Sequence, residues 1–295
     1  MNWRMALSPI FCTFFSFFPL VAQVAENVET TDWLPEGTFT SGIEGPATDR
    51  EGTIYAVNYG KEGTIGCVSP DGTHRCWVEL PAGSTGNGIR IGADGQLYVA
   101  DYTGHNILKI SPRTREITVF VHEPRMFQPN DLALAPSGNL YASDPDWAHA
   151  KGQLWLIRPD GAIVRLETDM GTTNGIEVSP DGKTLYVGES VQRQVWAYAI
   201  RPDGTLTGKR LFHTFEGYGM DGIRSDVKGN LYICRYEKGT VAVIDPEGRL
   251  IREIRLKGKK PSNLTFGGRG NRRCYVTLQD RGCFETFEVP FPGRQ

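Results

Sequence analysis

Six side chains could together hold a hard divalent cation: Glu44, Asn87, Asn130, Asn174, Asp221 and Asn263, spaced by 43, 43, 44, 47 and 42 residues. Two are carboxylates and four are neutral amides, an oxygen set suited to Ca2+, Mg2+ or Mn2+. None is His or Cys, which argues against a site built for zinc or copper. A coordination position left open to water or substrate would suit Lewis-acid chemistry on a carbonyl. A repeated Asn or Asp can instead cap backbone at a loop entering a strand. Glu44 fits capping poorly, and a purely structural role would favour one residue type.

A repeat of short β-segments would bring such distant residues together. Eight positions after each comes a turn residue: Gly52, Gly95, Gly138, Gly182, Gly229 and, in the last copy, Asn271. Three or four residues later each copy places a tyrosine: Tyr55, Tyr98, Tyr141, Tyr186, Tyr232 and Tyr275. The third copy shows the unit. Residues 130–135 alternate as an inner strand, 140–144 form a second, 152–157 a third and 162–166 a fourth. Pro-Asp-Gly turns begin at Pro70, Pro159, Pro180 and Pro202, where proline presets φ and glycine accepts a positive one. Six four-stranded units predict an all-β fold, a six-bladed β-propeller forming one domain over residues 32–290. Its innermost strands line a central channel and carry the six residues towards one axis. The segment 32–39 is expected to add a strand to the last blade, closing the ring and removing its exposed edges.

Residues 1–22 are read as an export signal: Arg4 is basic, and 6–20 are apolar with five phenylalanines and no charge. The mature chain is expected in the periplasm or secreted. No later stretch reaches the ~20 apolar residues of a membrane helix, so no membrane role is expected beyond the signal. Thirty-two basic against 34 acidic residues, scattered, exclude a strongly charged nucleic-acid binder. A monomer is expected. Of six cysteines, Cys12 falls in the signal. Cys67 and Cys76 flank a turn and could pair, while Cys234, Cys274 and Cys283 read as buried apolar side chains. Gly217 to Gly222 formally match G-x-G-x-x-G but enter a strand, not a helix, so no dinucleotide site follows. His105 and His149 fall in loops that could reach the channel mouth.

The residues resemble the senescence marker protein 30, gluconolactonase and luciferin-regenerating-enzyme family. The matching pieces are Ile43-Glu44-Gly45-Pro46, Pro129-Asn130-Asp131-Leu132, Asn174-Gly175-Ile176, Asp221-Gly222-Ile223 and Pro261-Ser262-Asn263-Leu264. The resemblance implies a divalent metal in the channel, Ca2+ first, with Mg2+, Mn2+ and Zn2+ as alternatives. It implies Glu44, Asn174 and Asp221 as ligands and Asn130 as a ligand or close substrate contact. Asn87 and Asn263 are then supporting or substrate-facing residues. Some members carry arginine two residues before the P-N-D asparagine; here that substrate-contacting position is Gln128. The implied activity is metal-dependent hydrolysis of a small sugar-like lactone, a carboxylic ester hydrolase reaction. The metal would polarise the carbonyl while Asp221 activates water. A second reading is a non-catalytic propeller that binds a protein or glycan around a structural metal.

Overall fold

The computed structural model describes Met1 and residues 28–294. The expected export signal, Met1 apart, lies outside the described residues. Six four-stranded antiparallel sheets follow one another along the chain and form the six blades of a propeller. The inner strands of blades 1 to 6 are Phe39–Thr48, Gly86–Ile91, Leu132–Leu134, Thr173–Val178, Ile223–Ser225 and Pro261–Gly267. Among the described residues no helix is long and apolar enough to cross a membrane.

Thr31–Asp32 closes the ring by pairing with Cys283–Glu288, so that Thr31 faces Thr286 and Asp32 faces Glu285. The closing strand is therefore shorter and earlier than the segment 32–39. Pro35 has no N–H for a ladder and Gly37 takes φ +74°, which turns the chain away before Phe39 enters blade 1. Arg281 pins the junction, donating to Asp32 Oδ1 and Glu36 Oε1, each at 2.7 Å.

The repeated tyrosines pack beside or between blades. Tyr55 meets Trp77 edge-on at 4.7 Å and Tyr232 meets Phe266 at 5.1 Å. Asn271 holds the turn of the last copy at φ +56°, a conformation glycine fills in the other five and asparagine tolerates best among the remainder. Cys67 and Cys76 are both free, because the register sets Cys67 opposite Arg75. Cys234, Cys274 and Cys283 are buried and free.

The six axial residues sit where ladder pairing is broken. Register shifts fall between Phe39 and Ala47, Gly86 and Ile89, Thr173 and Ile176, and Pro261 and Leu264. In blades 3 and 5 the regular strand begins only just beyond Asn130 and Asp221. A bulge re-aims a side chain that a flat strand would send into the blade. The following glycines let neighbouring blades approach. A Cβ on Gly88 would lie 2.7 Å from Asp131 Cα, and one on Gly175 would strike the Asp221 carbonyl and sit 2.7 Å from Ile223 N. Gly175→Ala must therefore push blade 5 outward, at an expected cost of about 1–3 kcal/mol. Urea denaturation measures it; a midpoint equal to the parent's would show slack that the contacts deny.

Candidate functional site

One end of the channel opens as a cleft of about 690 Å³. Glu44, Asn87, Asn130, Asn174 and Asp221 line it, so five of the six repeat positions converge. Asn263 does not. It is buried beneath the floor, where its Oδ1 accepts the Leu264 N–H and its Nδ2 donates to Glu44 Oε2, both at 2.9 Å. Both ends of the amide are spent, and it orients Glu44. Gln128 is also absent from the lining; its backbone N–H donates to Asp144 Oδ1 at 2.6 Å.

The loop residues separate similarly. Tyr102 and Tyr236 line the cleft, whereas Tyr59 bonds His74 at 3.0 Å. Neither histidine of interest lines it: His105 Nδ1 meets the Met126 carbonyl, and His149 pairs with Asp146 at 2.7 Å. Asp101 and Asp144 are buried and accept loop N–H groups, including those of Thr85 and Phe127, which fixes the segments leading to Asn87 and Asn130.

Asp221 and Glu44 face each other inside the ring. Burial, the Glu44 charge and Asp131 push the Asp221 carboxyl well above its ordinary range. Burial and Asp131 push Glu44 up to about 7, against a bond from the Gly45 N–H and the Asn263 amide. Asn174 Nδ2 donates to Ser190 Oγ at 3.1 Å, which leaves its Oδ1 buried with no partner. Ser190 in turn donates to the Met220 carbonyl, so this amide orientation is forced. Two carboxylates crowded together beside an unspent amide oxygen are a donor set that fits a hard divalent cation. Among the described residues no cluster of three or more His, Cys, Asp or Glu could hold one. The set thus relies on amide oxygens.

Below this floor lies a second charged layer that the repeat reading overlooked. Arg224 donates to Asp131 Oδ2 at 2.8 Å and Arg90 approaches Asp131 Oδ1 at 3.6 Å. Arg90 also reaches Glu177 at 3.3 Å, and Glu177 takes Arg294 at 3.1 Å and the Ser225 hydroxyl at 2.8 Å. Burial opposes the Asp131 charge, but Arg224 and Arg90 hold its carboxyl below the ordinary value. A signal existed: Arg90, Glu177 and Arg224 each stand three residues after an axial residue. Arg294, from the far end of the chain, carried no such signal.

The raised Glu44 carboxyl has a direct pH consequence. Its ordinary value is 4.5 and its value in the fold about 7, so the metal-free fold binds the extra proton between them. That stabilisation is full below the ordinary value and is lost as pH rises through about 7. EDTA-treated protein should melt lower at about pH 8 than at about pH 5.5, and CaCl2 should raise the midpoint chiefly at the higher pH. A calcium shift of equal size at both values would contradict the protonated pair.

The SMP-30/Gluconolactonase/LRE-like region matches residues 42–280. A gluconolactonase of Zymomonas mobilis is 29% identical over 220 residues, 65% of this chain and 61% of that protein's length. A pentonolactonase of Haloferax volcanii is 28% identical over 239 residues, 79% of this chain and 80% of its own. Among solved structures, a regucalcin of Agrobacterium tumefaciens described as calcium-binding superposes with TM-score 0.78 at 21% identity, covering 91% of this chain and 95% of that one. A Xanthomonas campestris gluconolactonase gives TM-score 0.76 at 24% identity, covering 92% of each chain. These two likenesses speak for the fold.

Proposed function

We infer the function from one premise: the chain belongs to the SMP-30/Gluconolactonase/LRE-like family. We propose that it hydrolyses a small sugar-like lactone with the help of one divalent cation, Ca2+ in the first place. The observation that carries this reading is the buried Glu44–Asp221 pair beside the unpartnered Asn174 oxygen at the floor of an open cleft. The names of the Zymomonas and Haloferax relatives support a lactone, and the calcium-binding regucalcin supports the ion.

Glu44, Asn174, Asp221 and Asn130 would hold the cation. When bound it supplies positive charge that polarises an ester carbonyl and offsets an oxyanion. Asp221 serves as general base, taking a proton from water as the water oxygen bonds the lactone carbon. The ring C–O bond then breaks and its oxygen takes a proton, giving an open hydroxy acid. Glu44 is fixed by Asn263 and the Gly45 N–H, which suits a ligand better than a proton carrier. Asn130 and Asn87 present amides along the cleft wall to substrate hydroxyls. We place the monomeric protein outside the cytoplasm on the strength of residues 1–22, which N-terminal sequencing of the mature protein would test.

The deciding assay is acid release from a panel of aldonolactones, with EDTA and after CaCl2 is restored. Hydrolysis that EDTA abolishes and calcium restores is expected. No EDTA-sensitive hydrolysis of any lactone or ester would favour the binding propeller instead.

A further inference from the structure

We propose that the substrate is a neutral lactone carrying an apolar substituent, seated against Trp147, Val191 and Tyr218 at the cleft mouth. This rests on the lactonase reading and narrows its substrate. These three side chains are 39%, 58% and 54% exposed, and all line the cleft above its polar floor. Single exposed apolar residues are ordinary, and Val119, Val164 and Leu211 on other strands are of that kind. Three rimming one concavity mark a surface meant to be covered. The cleft of about 690 Å³ lies in the ~300–1,000 Å³ range of pockets for drug-sized ligands, and one sugar ring fills only part of it.

The apolar wall is built. Tyr218 sits at φ +54°, a left-handed conformation that is unfavourable for a residue with a Cβ. Arg235 holds it from behind: Nη2 donates to the Gly217 and Tyr218 carbonyls at 2.6 and 3.3 Å and Nε to Gly219 at 3.3 Å. The same guanidinium lies 3.7 Å from the centre of the Phe215 ring. Blade 5 inverts the arrangement of blades 2 and 3, where Asp101 and Asp144 accept loop N–H groups. Here the loop turns its carbonyls inward to an arginine, and the tyrosine ring is left at the mouth. Trp147 is likewise fixed in a short 3-10 turn capped by Asp146, which also takes His149 Nδ1 at 2.7 Å.

Charge at the mouth disfavours anions. Glu62 and Glu237 line it, and among the described lining residues Arg193 is the one cation. A phosphate, sulfonate or carboxylate on the substituent would meet net negative charge.

The experiment compares kcat/KM for δ-decalactone, which bears a pentyl chain, with bare δ-valerolactone, in the calcium-loaded enzyme. The parent should prefer the substituted lactone by about tenfold or more. Trp147→Ala and Tyr218→Ala should collapse that ratio, and Trp147→Phe should keep most of it. A variant damaged only in folding lowers both rates and leaves the ratio intact. A parent ratio near one, a ratio unchanged in both alanine variants, or faster turnover of a carboxylate-bearing lactone than of its neutral parent would overturn the proposal. If no lactone is hydrolysed, the lactonase reading falls separately. A saturable change in tryptophan emission with δ-decalactone, abolished by Trp147→Phe, would still uphold the apolar seat, and its absence would overturn that too.

Discussion

Asp221→Asn is expected to lower lactone turnover by about 10²–10⁴-fold while weakening calcium binding by a much smaller factor. The substitution keeps the shape of the side chain and one carbonyl oxygen, so the ring geometry that Gly175 and Cys234 impose on this residue persists. The Asp221 N–H donates to the Cys234 carbonyl at 2.9 Å, a bond the change does not touch. What is lost is the carboxylate's charge and, with it, acceptance of a proton from water. Removing the charge also relieves Glu44, so the EDTA-treated variant should melt above the EDTA-treated parent. Calorimetric calcium titration beside steady-state rates separates the effects. Near-parental turnover with calcium bound would remove Asp221 from the role of base.

Arg224→Met is expected to cost about 3–5 kcal/mol of stability, as for breaking a buried ion pair from one side. Asp131 is almost wholly buried, and its bonds to Arg224 are 2.8 and 3.3 Å. Arg90 stands further off at 3.6 Å and is shared with Glu177, so it cannot replace the lost partner. Without Arg224 the Asp131 charge keeps only the more distant Arg90 against Glu44 and Asp221, and three carboxylates crowd one channel. The double change Asp131→Leu with Arg224→Met removes both charges and should recover much of the loss. Urea denaturation at constant calcium measures the set. A single variant as stable as the parent would mean that Asp131 does not depend on Arg224 for its partner.

Much of the fold was readable because a propeller repeats its grammar. The turn glycines, the tyrosines and the axial residues each recur at fixed offsets, and period-two runs between Pro-Asp-Gly turns admit strands only. The closing strand was harder. Its two residues make their contacts some 250 positions away, and only Pro35 and Gly37 hint at where pairing must stop. Arg90 and Arg224 of the lower layer recur at a fixed offset from the axial residues, but an arginine read singly in a sequence does not show which carboxylate it meets.

The repeat alone determined that Glu44, Asn87, Asn130, Asn174, Asp221 and Asn263 would be carried towards one axis by the inner edges of six blades. Equal spacing along a chain of similar units gives each residue a corresponding place in its blade. It could not rank them. That ranking came from where each side chain's hydrogen bonds go: Asn263 spends both ends of its amide on Leu264 and Glu44, while Asn174 keeps one oxygen free. The bond from Asn263 to Glu44 runs between blades, across more than 200 residues of chain. Periodicity reports what is shared among the blades, and the chemistry of the site lies in what differs.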